Sequence, residues 1–177
     1  MEGWIIGLVT ILAAFLFLKM AYVMAIGFSL PRTKGAVFVG TPSDTILKAL
    51  YAVGLRAGEL LADLGCGDGR VLVVASRDFG ARSIGYEINL FAYFLCRFRA
   101  LGCPNMDVQF KNFWGADLGE VDVVFCYLFP DVMERLSGKL KRELRPGARA
   151  ISCNFPLPQW TPSKVLKTRP NGDPVYL

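Results

Sequence analysis

A chain of 177 residues with 53% hydrophobic residues, a formal net charge of +5, five cysteines and no histidine has room for one ordinary domain and more apolar content than such a domain usually carries. The missing imidazole excludes the usual Ser-His and Cys-His nucleophile pairings and most transition-metal sites, and removes the commonest general base. The cysteines (Cys66, Cys96, Cys103, Cys126 and Cys153) are odd in number and scattered without a CxxC pair, which argues against a disulfide framework and a zinc site, so no metal is expected and a reducing compartment follows.

The first element is apolar. From Gly3 to Leu30 the only charged residue is Lys19. A helix over residues 3–30 would measure about 42 Å against roughly 30 Å of bilayer hydrocarbon, so it reads as a transmembrane anchor. A cleaved signal peptide would need a basic start, whereas Met1 and Glu2 precede the run. Arg32 and Lys34 follow it, and no Lys or Arg precedes it, which predicts a single-pass protein whose C-terminal portion lies on the cytoplasmic side or its organellar equivalent. Lys19 is expected to snorkel toward one surface.

Residues 31–58 then read as a turn-rich linker, PRTKGAVFVGTPSD, followed by a helix through TILKALYAVGL that Ser43 or Asp44 caps. Residues 59–177 form the third segment. ELLADLG is a strand buried on both faces, GRVLVVASRDFG a helix closed by Gly80, RSIGYEI a strand and NLFAYFLCRFRALG a helix. MDVQFKNF and VDVVFCYLF are predicted as the third and fourth strands, DVMERLSGKLKREL as a helix and GARAISCNF as a fifth strand. This alternation predicts an α/β fold, a Rossmann-like doubly wound sheet preceded by one transmembrane helix.

The stretch ADLGCGDGR occupies the first strand-to-helix turn, where a nucleotide approaches an open α/β sheet most closely. Gly65, Gly67 and Gly69 leave the backbone bare there. Their spacing is GxGxG, so the phosphate-binding GxGxxG is not met. Asp63 and Asp68 would repel a phosphate and suit a positively charged ligand, such as an amino-acid ammonium or a sulfonium. Glu87 ends the second strand, where an acidic side chain accepts hydrogen bonds from the ribose hydroxyls of an adenosine. Asn112 and Phe113, expected to end the third strand, can meet an adenine edge and face. A solvated carboxylate at Glu87 and a core aromatic at Phe113 are the blander alternatives. The combination points to adenosine joined to an amino acid.

The run DLGCGDGR, with GYEIN after it, resembles motifs I and II of the class I, seven-β-strand S-adenosylmethionine-dependent methyltransferases. Together with the N-terminal apolar segment, FVGTPSD, the aromatic-rich segment after the third strand, and GARAISCNFPLPQW, the chain resembles the small membrane-anchored protein-lysine methyltransferases. Mitochondrial members of that group modify the ATP synthase c subunit and the adenine nucleotide translocase. The resemblance implies S-adenosyl-L-methionine as cofactor, with Asp63, Gly65, Gly67 and Gly69 around its methionine part and Asp68 in the same loop. It further implies Glu87 at the ribose, Asn112 and Phe113 at the adenine, and Thr41 and Pro42 in a segment that closes over the cofactor. Where these enzymes often carry an Asp-Leu-Trp-like element this chain has NFW, and its end at PVYL is expected to leave little for the last two strands of a seven-strand sheet.

Tyr127 and Phe129 follow the fourth strand, where methyltransferases of this class usually line the acceptor site. Tyr127 is a candidate to accept a hydrogen bond from an incoming amine and Phe129 to wall its channel; ordinary packing at a sheet end is the alternative. Trp114 and Trp160 are candidates without an assigned role. From Arg135 to Arg169 nine Lys or Arg residues face one acid, Glu143, which reads as a solvated face or as a surface for anionic lipid or an acidic partner. No nucleic acid partner is expected. The function expected is methylation of a lysine on a membrane protein at the lipid bilayer. Alternatives are a small lipophilic acceptor such as a quinone or lipid precursor, or a non-catalytic membrane-tethered assembly factor.

Overall fold

The computed structural model describes residues 2–33, 40–170 and 172–177. Residues 34–39 of the expected linker, Lys34 among them, fall outside these, and its first three residues belong to the helix that precedes it. Helix α1, Glu2–Thr33, runs three residues beyond the apolar segment. Within it Trp4–Met24 is long and apolar enough to cross a membrane, with mean hydropathy 2.2 and no residue of its apolar window buried. These 21 residues measure about 31 Å as a helix.

Helix α2, Ser43–Val53, begins at Pro42, whose extended backbone precedes the first turn without any side-chain cap. The expected cap by Ser43 or Asp44 is therefore corrected. Both residues already lie inside the helix, and Asp44 instead pairs with Lys48 and Arg169. Gly54, with φ of 71°, closes α2 in the left-handed conformation that glycine tolerates best.

Five parallel strands follow: β1 (Leu60–Leu64), β2 (Arg82–Glu87), β3 (Met106–Phe110), β4 (Val123–Cys126) and β5 (Arg149–Cys153), with helices α3 (Arg70–Asp78), α4 (Leu90–Ala100) and α5 (Pro130–Glu143) between them. The remaining sequence supplies β6 (Val165–Lys167) and β7 (Pro174–Tyr176), and the sheet order is β3-β2-β1-β4-β5-β7-β6. The expectation that little would remain for a final strand pair is thus corrected. Three residues per strand suffice because β7 pairs antiparallel with both β5 and β6.

Apolar patterning divides the interior in two. Ile46, Leu50, Leu72 and Cys96, from α2, α3 and α4, pack with Leu61, Phe125 and Ile151 on one side of the sheet. Met133, Leu136 and Leu140 of α5 pack with Ala62, Leu64 and Val124 on the other. All five cysteines are buried free thiols. The strand order reverses between β1 and β4, and in open α/β sheets a ligand crevice lies beyond the carboxyl ends of the strands at that reversal.

Candidate active site

Register aligns the carboxyl ends of the central strands: Leu64 of β1 lies beside Tyr86 of β2 and Cys126 of β4. The glycine loop, Glu87 and Tyr127 therefore emerge at one edge. Gly65, Gly67 and Gly69 have φ of 89°, 54° and 80°, a region costly for any residue with a Cβ. Gly69 is also sterically obligatory, since a Cβ there would sit 2.3 Å from Cys96 Sγ of α4.

The loop is held from below by β2. The amides of Gly65 and Cys66 donate to Tyr86 O at 3.0 and 3.1 Å. The Gly67 amide donates to Glu87 Oε2 at 2.8 Å, and the Ile88 and Asn89 amides both donate to Oε1 at 2.7 Å. Glu87 thus ties the first strand-end loop to the second while 8% exposed. A carboxylate has about four acceptor positions, so three amides leave room for a ligand hydroxyl.

Asp63 and Asp68 are also buried, and their charges are handled differently. Burial, reinforced by the neighbouring Glu87 and Asp68 carboxylates, pushes the Asp63 carboxyl well above the usual range. Burial raises Asp68 too, but Arg70 and Arg99 more than offset it and hold its carboxyl below the ordinary value. Arg70 Nη2 and Arg99 Nη1 approach Asp68 Oδ2 at 2.7 and 2.6 Å. Arg70 Nη1 also donates to Thr41 O at 3.2 Å, which brings the Thr41–Pro42 segment against the glycine loop. A buried carboxyl that lacks an ion-pair partner among the described residues suits a cationic cofactor, and bare glycine backbone beside it lets such a group approach.

Asn112 and Phe113 require a correction, because β3 ends at Phe110. Asn112 instead caps a short 3-10 turn, Phe113–Gly115, its Oδ1 accepting from the Trp114 amide at 3.1 Å. The turn remains next to the site, since the Lys111 amide donates to Glu87 O at 3.1 Å. Phe113 packs partly into the core and against Trp114, with ring centroids 4.7 Å apart. Trp114 also carries Arg135 over its face at 4.1 Å, and Trp160 Nε1 donates to Ser137 Oγ at 3.0 Å, so both tryptophans pack.

Tyr127 leaves β4 with its hydroxyl donating to Asp173 Oδ2 at 2.5 Å. Burial and this carboxylate push the phenol up to about 12, so it stays protonated. Its proton is committed to Asp173, and its oxygen retains lone pairs for an incoming donor. Phe129 precedes α5 and is 45% exposed. Sequence reading missed Asp173, which lies 46 residues from its partner in a terminal segment without a local signal. It also missed Arg99, whose role appears only when α4 packs beside the loop.

The sheet order, the acid-lined glycine turn at the strand reversal and the ends of β1 and β2 define a class I S-adenosylmethionine-dependent methyltransferase. Residues 63–164 match the family model described as the ANTKMT methyltransferase domain. The chain is 34% identical over 134 residues to a protein-lysine N-methyltransferase of Saccharolobus islandicus, covering 73% of this chain and 83% of that protein. It is 36% identical over 133 residues to the adenine nucleotide translocase lysine N-methyltransferase of Mus musculus, covering 73% and 57% respectively. Against the Homo sapiens lysine N-methyltransferase named for the ATP synthase c subunit, identity is 31% over 149 residues, covering 81% and 63%. The chain spans less than two thirds of these two mammalian relatives. Among solved structures, an RNA methyltransferase of Salinibacter ruber bound to S-adenosyl-L-homocysteine superposes with TM-score 0.74 at 31% identity, over 78% of this chain and 91% of that one. The chain belongs to the ANTKMT methyltransferase-domain family of S-adenosylmethionine-dependent protein-lysine N-methyltransferases.

Proposed function

We propose that the chain is held in a membrane by α1 and methylates lysine side chains of a membrane protein, with S-adenosylmethionine as donor. The observation that carries this is the presence, at one sheet edge, of a cation-suited glycine loop and the Tyr127–Asp173 pair. Residues 3–30 serve as the anchor, 31–58 as linker and leading helix, and 59–177 as the catalytic domain. The Arg32 and Lys34 flank assigns the domain to the cytoplasmic side or its organellar equivalent.

S-adenosylmethionine supplies a methyl group on a sulfonium, a good leaving group, so the protein contributes orientation and electrostatics. Asp63 and the three glycines cradle the methionine part, and Asp68 fixes their loop through Arg70 and Arg99. Glu87 receives the ribose, Asn112 and Phe113 border the adenine, and Thr41 with Pro42 close over the cofactor. The acceptor must be neutral, and deprotonating a group of pKa about 10.4 at pH 7 costs about 4.6 kcal/mol. Asp173 attracts the incoming ammonium, Phe129 shields its path from water, and the Tyr127 oxygen accepts a hydrogen bond from the amine, aiming its lone pair. The proton leaves to solvent before transfer. A tether along the bilayer raises the effective concentration of membrane-embedded targets.

The test is turnover by full chain reconstituted in bilayers with a membrane-protein fraction and methyl-labelled cofactor. Tyr127→Phe and Asp173→Asn are expected to lower transfer at least 10-fold while leaving the cofactor dissociation constant within about twofold. Unchanged transfer in both variants would remove Tyr127 and Asp173 from the acceptor site. Label recovered in lipid extract instead of protein would favour the small lipophilic acceptor.

A further inference from the structure

Helix α4 shows an apolar face that the fold leaves uncovered. Phe91, Phe94, Leu95, Phe98 and Leu101 are exposed, Phe98 to 74% and Leu101 to 80%, while Ala92 and Cys96 of the same helix are buried. Successive residues turn about 100°, so these five positions form one stripe roughly 120° wide. Arg97 borders one side of it and Arg99 the other. An apolar stripe edged by arginines is the pattern of a helix lying in a membrane interface, its cations reaching headgroups beside buried rings.

The stripe is continuous with α1. The Tyr22 ring meets Phe91 edge-on at 5.3 Å and 77°, near the Met24 end of the segment able to cross a bilayer. Beside Phe98 a cleft is lined by Arg70, Arg77 and Arg99. Arg70 and Arg99 share Asp68, whereas Arg77 and Arg97 form no ion pair among the described residues. The basic stretch Arg135–Arg169 offers less, since Lys139, Arg145, Arg149 and Arg169 all carry carboxylate partners.

We infer that the exposed face of α4 lies in the headgroup–acyl boundary of the bilayer that α1 crosses, with Arg77 and Arg97 against anionic phospholipid headgroups. This rests on the membrane-anchored reading of α1. Arg99 belongs to α4 and also binds Asp68, so the helix that touches lipid is joined directly to the glycine loop. The bilayer then fixes the height of the catalytic edge and selects lysines close to the headgroups.

The experiment places one nitroxide at a time on the full chain in bilayers of phosphatidylcholine with phosphatidylglycerol, using Phe98→Cys or Phe94→Cys. The five native thiols are buried, so the introduced exposed cysteine takes the label. Leu12→Cys reports the anchor, and Arg142→Cys, at an exposed position of α5, reports water. Collision with oxygen is compared with collision with a water-soluble nickel chelate, and binding of S-adenosylmethionine verifies folding. Labels at 94 and 98 are expected about 5–10 Å below the headgroup surface, with position 12 deeper and position 142 fully chelate-accessible. If 94 and 98 match 142 while 12 is deep, this inference fails and the anchor stands. If 12 is also chelate-accessible, the anchored reading fails and carries the inference with it. If 94 and 98 are immobile and shielded from both reagents, a second copy or another protein covers α4, and the inference is overturned.

Discussion

Asp63 sits in surroundings that disfavour its own charge. Burial and the nearby Glu87 and Asp68 carboxylates raise it well above the usual range, so in the free protein it holds its proton to higher pH than an ordinary carboxyl. A raised carboxyl contributes stability that is present in full below the unfolded value, about 3.9, and lost as pH rises through the folded value. A bound cation reverses the preference. S-adenosylmethionine is therefore expected to bind more tightly as pH rises and to expel up to one proton below the pKa of Asp63. Calorimetry in buffers of different ionisation enthalpy checks this, and Asp63→Asn should abolish the proton release. Asp68 behaves oppositely: its lowered carboxyl adds stability above about 3.9 that disappears as pH falls through its folded value. Glu87 carries a double burden, since its carboxylate accepts three amides. Glu87→Ala is expected to weaken cofactor binding at least 10-fold and, by stranding buried N–H groups, to cost about 1–3 kcal/mol of stability, readable by urea titration.

At the level of elements, the loop between β1 and α3 and the helix α4 fit as a matched pair. Gly69→Ala would force a side chain into Cys96 Sγ at a φ of 80°. We expect a loss of about 3 kcal/mol or more from strain and overpacking together, with no soluble cofactor-binding protein at physiological temperature if the loss exceeds the reserve. The first five strands were legible because short segments with strand patterning alternate with helical ones: β1 and β4 are apolar runs, and β3 alternates. The last two were not: VLK and PVY are three residues each, and their pairing partners are remote in sequence. MDVQFKNF was read three residues too far as strand because its alternation continues, while β3 stops at Phe110 and the side chain of Asn112 bends the backbone into a turn by accepting from Trp114. The cap expected at Ser43 or Asp44 failed for a similar local reason, with Pro42 already fixing the extended approach to α2.

Across the whole molecule, the two halves of the candidate site differed in how far they could be read. The cofactor half lies close together in sequence, glycines after one strand and Glu87 after the next, and the fold adds the structural duty of Glu87 and the pairing of Arg99 with Asp68. The acceptor half joins Tyr127 to Asp173 across the β5–β7 connection, and the uncovered apolar face of α4 appears only when burial separates Cys96 from Phe98. The basic stretch that stood out in sequence is consumed in part: Lys139 pairs with Glu143 one turn away, and Arg145, Arg149 and Arg169 pair with Asp122, Glu59 and Asp44, acids that arrive from distant elements. The central claim, lysine methylation at the membrane by this sheet edge, is tested most directly by identifying the product. Full chain in bilayers, membrane proteins and methyl-labelled S-adenosylmethionine should yield label that co-elutes with ε-N-methylated lysine after acid hydrolysis, and Glu87→Ala should abolish it. Label confined to lipid or to added RNA, with no methylated lysine from a protein that binds the cofactor, would contradict the account.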